Sequence, residues 1–139
     1  MCVLYRTLGE FHVLHMSHDT KKLGELGENL AAEHLIQNGY KIIQRNYRNK
    51  IGEIDIIAKK NGALVFVEVK TRESTYSNNF LPEQNVDFHK QSKLKKLCEM
   101  YLTQYKHEDH EWQIDVIGII LDKSHKNATI NHIQNAVYG

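Results

Sequence analysis

The sequence is poor in the features that mark several specialised classes of protein. It has one proline and two cysteines, Cys2 and Cys98, and no C-x-x-C pair. A cysteine-ligated zinc site and a disulfide scaffold are therefore not expected, and the compartment expected is a reducing, cytoplasmic one. No apolar run approaches the roughly 20 residues that a membrane-spanning helix needs.

An excess of charge of one sign is also missing. The 18 Lys and Arg residues nearly balance the 17 Asp and Glu residues, which leaves a formal net charge of +1. Net charge therefore identifies no partner, and any surface for nucleic acid must come from local clustering of basic residues. The sequence also lacks a glycine-rich phosphate-binding loop and a serine nucleophile elbow.

The length of 139 residues suits one domain with a core of its own. We interpret residues 1–18 as a loose N-terminal extension and residues 19–139 as the single domain. Residues 1–15 either form such an extension or precede an alternative start at Met16, and the sequence leaves both interpretations open.

The chain alternates between helical and strand-like segments. Residues 20–38 carry apolar side chains at helical spacing, with Asp19 as N-cap and Gly39 at the end. The later segments are strands at 40–48, 52–59 and 63–70, a helix at about 87–106, and strands at 112–121 and about 129–133. The polar stretch 71–86 predicts a long loop. We expect an α/β fold with a mixed sheet of about five strands, in the order α-β-β-β-α-β-β, flanked by helices.

The dipeptide Asn61-Gly62 predicts a tight hairpin, and its register brings carboxylates together. One face of the hairpin is then uniformly apolar, as a core-facing surface should be. The predicted pairs are Ile54 with Val69, Ile56 with Val67 and Ala58 with Val65 on that face, and Asp55 with Glu68, Glu53 with Lys70 and Ile57 with Phe66 on the other. Two carboxylates directly opposite lie roughly 5 Å apart at their Cβ atoms and repel each other.

A divalent cation would convert the repulsion between Asp55 and Glu68 into ligation, because hard oxygen donors suit Mg²⁺ or Mn²⁺. The ammonium of Lys70 on the same face would orient a water molecule and stabilise charge on a phosphate. The ordinary alternative for these residues is a solvated strand face. Glu53 is either a further ligand or a salt-bridge partner of Lys70, and we favour the salt bridge.

Other candidates lie on the two predicted helices and after the third strand. Glu28 is at the edge of the first helix's apolar stripe, where Gly24 leaves room for it to approach the metal or its water. The second helix and the residue after Thr71 supply candidate nucleic-acid contacts: Arg72, Lys90, Gln91, Lys93, Lys95 and Lys96. A lysine-rich helix is otherwise simply solvated. We expect His34 in the core and Asp115 in a structural, hydrogen-bonding role.

Several motifs resemble one known family. They are G-E-x-G-E-x-x-A-x-x-x-L (24–35), G-Y-x-I-I-x-R-N-Y-R (39–48), G-E-I-D-I-I-A (52–58), V-F-V-E-V-K-T-R (65–72) and I-x-H-I-x-N-A (130–136). Together they are similar to the YraN-like family of small bacterial proteins, grouped with the PD-(D/E)xK nucleases and resembling Holliday junction resolvases. The resemblance implies a restriction-endonuclease-like core. It also implies that Asp55, Glu68 and Lys70 fill the D…E-x-K positions, with Glu28 as the acid of the first helix.

We therefore expect metal-dependent, endonuclease-like hydrolysis of DNA phosphodiester bonds, selective for branched or other non-duplex structures. Asp55, Glu68 and Glu28 would hold Mg²⁺ or Mn²⁺ with help from the Val69 carbonyl, and Lys70 would position the attacking water. The expected partner is branched or single-stranded DNA and not a membrane, and a homodimer is compatible with the sequence. The alternative is a nucleic-acid-binding or protein-interaction module that keeps the nuclease fold but cleaves little or nothing.

Overall fold

In a computed structural model of the chain, the structure describes residues 2–6, 20–74 and 88–137. These form β1 (Cys2–Arg6), α1 (Thr20–Gln37), β2 (Lys41–Arg48), β3 (Glu53–Lys60), β4 (Ala63–Glu73), α2 (Phe88–Gln104), β5 (Trp112–Leu121) and β6 (Asn127–Ile133). Every predicted helix and strand is present, with ends that move by a few residues. The predicted loop at 71–86 begins later than expected because β4 continues to Glu73. The remainder of that loop from residue 75 onward, and the predicted N-cap Asp19, lie outside the described residues.

The strands form one mixed sheet in the order β1-β6-β5-β4-β3-β2. The pair β4–β5, joined through α2, is parallel and the other pairs are antiparallel. The predicted fold class is confirmed, since a mixed sheet flanked by helices has the predicted order of elements. Cys2–Arg6 add a sixth strand that pairs with β6, where the sequence analysis expected a loose extension. Among the described residues, neither helix is long and apolar enough to cross a membrane.

Each helix covers one face of the sheet with its own apolar cluster. The cluster under α1 contains Leu26, Leu30, Ala31, Leu35, Ile56, Ala58, Val65, Val67, Ile117, Ile119 and Ile130 among others. The cluster under α2 contains Tyr47, Ile54, Ile57, Leu64, Phe66, Leu94, Leu97, Cys98, Tyr101 and Ile114 among others. His34 is buried in α1, as predicted.

The close approach of α1 to β4 depends on Gly27. This residue is buried, and a Cβ atom placed there would overlap the side chain of Thr71. Only glycine therefore allows the helix backbone to lie this near the strand, which brings the next residue, Glu28, to the sheet. The predicted room beside Gly24 is present but does not depend on glycine, because a Cβ atom at that position would meet nothing within 4 Å.

The hairpin register is confirmed near its turn and fails beyond it. Asn61 and Gly62 have φ values of 51° and 83°, as a tight primed turn requires. The predicted pairs hold from Lys60–Ala63 to Ile56–Val67, where the pairing ends. The predicted pairs of Asp55 with Glu68, Glu53 with Lys70 and Ile54 with Val69 are therefore wrong, because β3 and β4 separate at this point.

Candidate active site

Asp55 lies where β3 and β4 separate. Its side chain is almost fully buried, at 7% exposure, and its Oδ2 accepts a hydrogen bond of 2.8 Å from the amide of Val69. Burial, and after it the charges of Glu68, Glu28 and Glu53, raise the pKa of Asp55 to about 8, whereas the Val69 hydrogen bond opposes the shift. Asp55 therefore holds its proton far more strongly than an ordinary carboxyl group in the absence of a cation.

Glu28 approaches Asp55 from α1, as the sequence analysis predicted. Its pKa is raised mainly by burial and also by the nearby charges of Glu53 and Glu25, whereas Arg45 and a hydrogen bond with Asp55 lower it. Because Asp55 holds the more strongly raised pKa, it is the donor of this hydrogen bond and the carboxylate of Glu28 is the acceptor. The two acids thus share a proton where two negative charges would otherwise meet.

Glu68 and Lys70 form an ion pair on β4. The Lys70 Nζ atom lies 3.1 Å from Glu68 Oε1, and their side chains are 27% and 22% exposed. The favoured pairing of Lys70 with Glu53 is therefore wrong. Glu53 instead pairs with Arg48 at 3.0 Å on the neighbouring strand, where both side chains are well exposed.

An open cleft of about 260 Å³ lies between the β3–β4 fork and the first turns of α2. Its lining residues are Gly52, Glu53, Glu68, Lys70, Lys90, Lys93, Leu94 and Leu97. Gly52 lies directly under α2, since a Cβ atom there would be 3.2 Å from Leu97 Cδ1 and 3.4 Å from Lys93 Cε. The buried Asp55 does not line this cleft, so a ligand entering it meets Glu68 and Lys70 first.

Of the other predicted nucleic-acid contacts, two line this cleft and the rest do not. Lys90 and Lys93 line it, whereas Lys96 is exposed one turn further along α2 and does not. Gln91 is half-buried on α2, and Arg72 is exposed on β4, two residues after Lys70.

The acids at the fork do not form a ready-made cage for a metal ion. Within residues 20–74 and 88–137, no three His, Cys, Asp or Glu side chains are grouped closely enough to hold one. Mg²⁺ typically binds through one or two carboxylates and keeps several waters. The donor set therefore fits Mg²⁺ in its usual protein coordination, since the buried Asp55 lies next to two other carboxyl groups whose negative charge Lys70 and Arg45 offset only in part.

Comparison with known proteins decides the family. The model of a family described as "Uncharacterised protein family UPF0102" matches residues 27–119. The chain belongs to this family. The sequence resemblance to YraN-like proteins is thereby confirmed, since UPF0102 is that family.

UPF0102 relatives match over most of their length. The chain is 42% identical to a UPF0102 protein of Caldanaerobacter subterraneus subsp. tengcongensis, over 84% of this chain and 94% of the relative. It is 42% identical to a UPF0102 protein of Caldicellulosiruptor bescii, over 84% of this chain and 97% of the relative. A UPF0102 protein of Clostridium botulinum is 38% identical, over 87% and 98% of the two chains.

Two solved structures show a weaker likeness to this UPF0102 chain. One is an EndoMS–dsDNA2 complex, with a TM-score of 0.36 and 19% identity over 68% of this chain and 35% of that one. The other is Pyrococcus furiosus SfsA in complex with Ca²⁺, with a TM-score of 0.37 and 15% identity over 84% of this chain and 64% of that one. Both scores are too low to carry an argument about this protein.

Four residues that shape the site of this UPF0102 chain do not stand out in its sequence. Gly27 and Gly52 allow the close approach of α1 and α2, and Arg45 acts on Glu28. Asn46, next to Arg45, has a φ of 53° inside a strand. All four lie inside the quoted motifs, but a motif by itself does not say which neighbour its glycine or asparagine accommodates.

Proposed function

We propose that this protein is a metal-dependent nuclease that hydrolyses phosphodiester bonds in DNA. The observation that carries the proposal is the buried Asp55, whose pKa of about 8 reflects burial and the nearby charges of Glu68 and Glu28. Two other carboxyl groups lie close to this buried one, and perturbed carboxyl groups beside a cleft are typical of functional sites.

The ligands proposed are Asp55 and Glu68, with Glu28 and the backbone carbonyl of Val69 in support. A bound Mg²⁺ or Mn²⁺ would neutralise charge on the phosphate and lower the pKa of a bound water. Asp55 would hold the cation in its deprotonated form, which the positive charge would favour. Glu68 would contact the cation in place of part of its ion pair with Lys70.

Lys70 is proposed to act on the reacting groups once Glu68 is engaged. Its ammonium is held at 3.1 Å from Glu68 in the absence of a cation, at the edge of the cleft. With a cation held at Glu68, the ammonium of Lys70 would orient the attacking water and stabilise charge on the phosphate. The ion pair would thus keep Lys70 in place until the site is loaded.

The substrate proposed is DNA with a branched or single-stranded portion. Lys90 and Lys93 line the cleft and supply positive charge opposite the acids, as a phosphodiester backbone requires. The cleft is partly open to solvent, as a site for a polymer backbone must be.

A panel of single-stranded, duplex, flap and four-way-junction DNA, incubated with Mg²⁺ or Mn²⁺, tests the proposal. Cleavage of at least one substrate is expected with metal and none with chelator. Glu68→Gln and Lys70→Ala should each slow cleavage by about 10²–10³-fold. Only Glu68→Gln should also abolish the rise in melting temperature caused by Mg²⁺.

The control is Glu33→Gln, which removes an exposed acid from α1 and should leave cleavage and the Mg²⁺ response unchanged. Parent-like cleavage by both site variants would show that the chemistry lies elsewhere. Tight binding with no cleavage of any substrate would favour a second candidate, a nucleic-acid-binding module that keeps the fold. The absence of a ready-made three-ligand group among the described residues is the observation that favours this second candidate.

A further inference from the structure

We propose that Asn46 is a positioning residue, whose left-handed backbone conformation in β2 places Asp55 at the fork between β3 and β4. This inference rests on the proposed function, because the position of Asp55 matters for cleavage only if Asp55 is a metal ligand. Three irregularities of the sheet coincide at these two residues.

The first irregularity is the backbone of Asn46 itself. Its φ of 53° lies in the left-handed region, although strand residues normally have strongly negative φ. Among the described residues, the other non-glycine residues with positive φ lie in turns or bends rather than inside a strand. Asparagine enters this region more readily than other residues with a Cβ atom.

The second irregularity is a break in strand pairing. Arg45 pairs with Ile56 and Tyr47 pairs with Ile54, so a regular ladder would pair Asn46 with Asp55. Both residues lie in the part of the chain that the structure describes, and they do not pair with each other. The ladder between β3 and β4 stops at Ile56 as well. The backbone of β3 is therefore released on both sides at Asp55.

The third irregularity is a shift in which face of the sheet the side chains occupy. Residues two apart in a strand share a face, which would place Ile54 with Ile56. Instead, Ile56 packs in the cluster under α1, while Ile54 joins Ile57 in the cluster under α2. The strand thus changes phase between Ile54 and Ile56, and Asp55 is the residue at the change.

These irregularities have one consequence for the site. The change of phase turns the carboxyl group of Asp55 toward the amide of Val69, which donates a hydrogen bond to it at 2.8 Å. A β-branched residue at position 46 would strongly disfavour the left-handed conformation and favour regular pairing with Asp55. The side chain of Asn46 is exposed, so its backbone conformation is what the site requires, and glycine should replace it.

The experiment compares Asn46→Val with Asn46→Gly in the full chain. With the DNA substrate that the parent cleaves, Asn46→Val should lower kcat at least tenfold with little change in KM, and Asn46→Gly should stay within threefold of the parent. The amide resonance of ¹⁵N-labelled Val69 should move in Asn46→Val and stay in place in Asn46→Gly. If Asn46→Val does not fold, Asn46→Ala provides the milder change in the same direction.

The matched control is Asn61→Val, because Asn61 has a nearly identical φ of 51° at the other end of β3. It should lower the melting temperature without moving the Val69 resonance or kcat. An unmoved Val69 resonance in folded Asn46→Val, or equal effects of valine and glycine, would overturn the inference. A parent protein that cleaves no DNA would refute the proposed function instead, and the Val69 resonance would still decide the role of Asn46.

Discussion

The structure buries two aspartates that have opposite surroundings. Asp115 is completely buried on β5, and its Oδ1 accepts hydrogen bonds from Gln113 Nε2 at 2.8 Å and from the Asn135 amide at 2.9 Å. Its Oδ2 lies 2.7 Å from His132 Nε2. Asp55 accepts one backbone hydrogen bond and faces other acids, Glu68 and Glu28 among them.

The difference separates a structural acid from a functional one. Every oxygen of Asp115 has a donor within the fold, so its burial costs little, and it holds β5, β6 and the following turn together. The acids around Asp55 are offset only in part, by Lys70 at Glu68 and by Arg45 at Glu28, and burial together with these acids raises its pKa to about 8. The remaining positive charge that Asp55 and its neighbouring acids need has to come from outside the chain, and a divalent cation would supply it.

The largest expected effect on stability comes from removing Asp115. Asp115→Ala deletes three hydrogen bonds and leaves Gln113 and His132 without their buried partner, which should lower the free energy of unfolding by about 3 kcal/mol. Urea denaturation measures this change. The control, Asp109→Ala, removes an exposed acid and should stay within about 0.5 kcal/mol of the parent. If Asp115→Ala lowers the free energy of unfolding by less than about 1 kcal/mol, the contrast between Asp115 and Asp55 disappears.

The sequence predicts most of this fold because the signals are local. Helical spacing, the Asn61-Gly62 turn and apolar runs depend on neighbours along the chain, and they give the right elements and order. The structural role of Asp115 could also be inferred, from an acid placed among strand residues. Its partners could not, because Gln113, His132 and Asn135 come together only when β5 and β6 pair.

The site was predicted less completely because it depends on a departure from regular structure. A regular hairpin places Asp55 directly opposite Glu68, but the strands separate one residue earlier. Pattern analysis assumes constant periodicity, so it could not find the change of phase at Asp55. The positive φ of Asn46 is a property of the folded backbone, and the residue type alone gives only a weak signal for it.

The second prediction concerns Asp55 and the pH dependence of stability. Its pKa is raised on folding, so the folded state binds more protons than the unfolded state, and stability falls as pH rises from about 4 to about 8. Asp55→Asn removes this fall in stability with rising pH. It also keeps a side-chain oxygen that can accept the hydrogen bond from the Val69 amide. The variant should therefore be more stable than the parent by about 2 kcal/mol at pH 8 without metal, and the difference should shrink toward pH 4.

Asp122 gives the control of opposite sign. Burial raises its pKa, but hydrogen bonds from Asn127, Ser124 and Lys126 together outweigh burial and lower the pKa overall. Asp122→Asn should therefore be less stable than the parent at neutral pH, with the deficit vanishing in acid. Melting temperatures measured from pH 4 to pH 9 check both variants. A parallel pH profile for Asp55→Asn and the parent would show that Asp55 is compensated in the fold after all, as Asp115 is.

The smallest expected effect concerns the positive charge that faces the acids across the cleft. Lys93 lines the cleft and Lys96 is exposed one turn further along α2. If the DNA backbone lies along this helix, Lys93→Ala with Lys96→Ala should weaken DNA binding about tenfold and reduce the slope of log affinity against log salt by about 1–2. Binding measured by fluorescence anisotropy over a range of salt concentrations gives both quantities.

A matched double variant separates this contact from a general effect of charge. Lys41 and Lys59 are exposed and paired across β2 and β3, six residues along β3 from Glu53. At about 3.3 Å per residue they lie roughly 20 Å from that side of the cleft. Replacing both with alanine removes the same charge and should leave the salt slope unchanged.

Equal losses of DNA affinity in the two double variants would mean that DNA senses only the total charge of the protein. The lysines of α2 would then be a solvated helix face. A loss confined to Lys93 and Lys96 would place the phosphate backbone beside Glu68, because Lys93 and Glu68 line the same cleft.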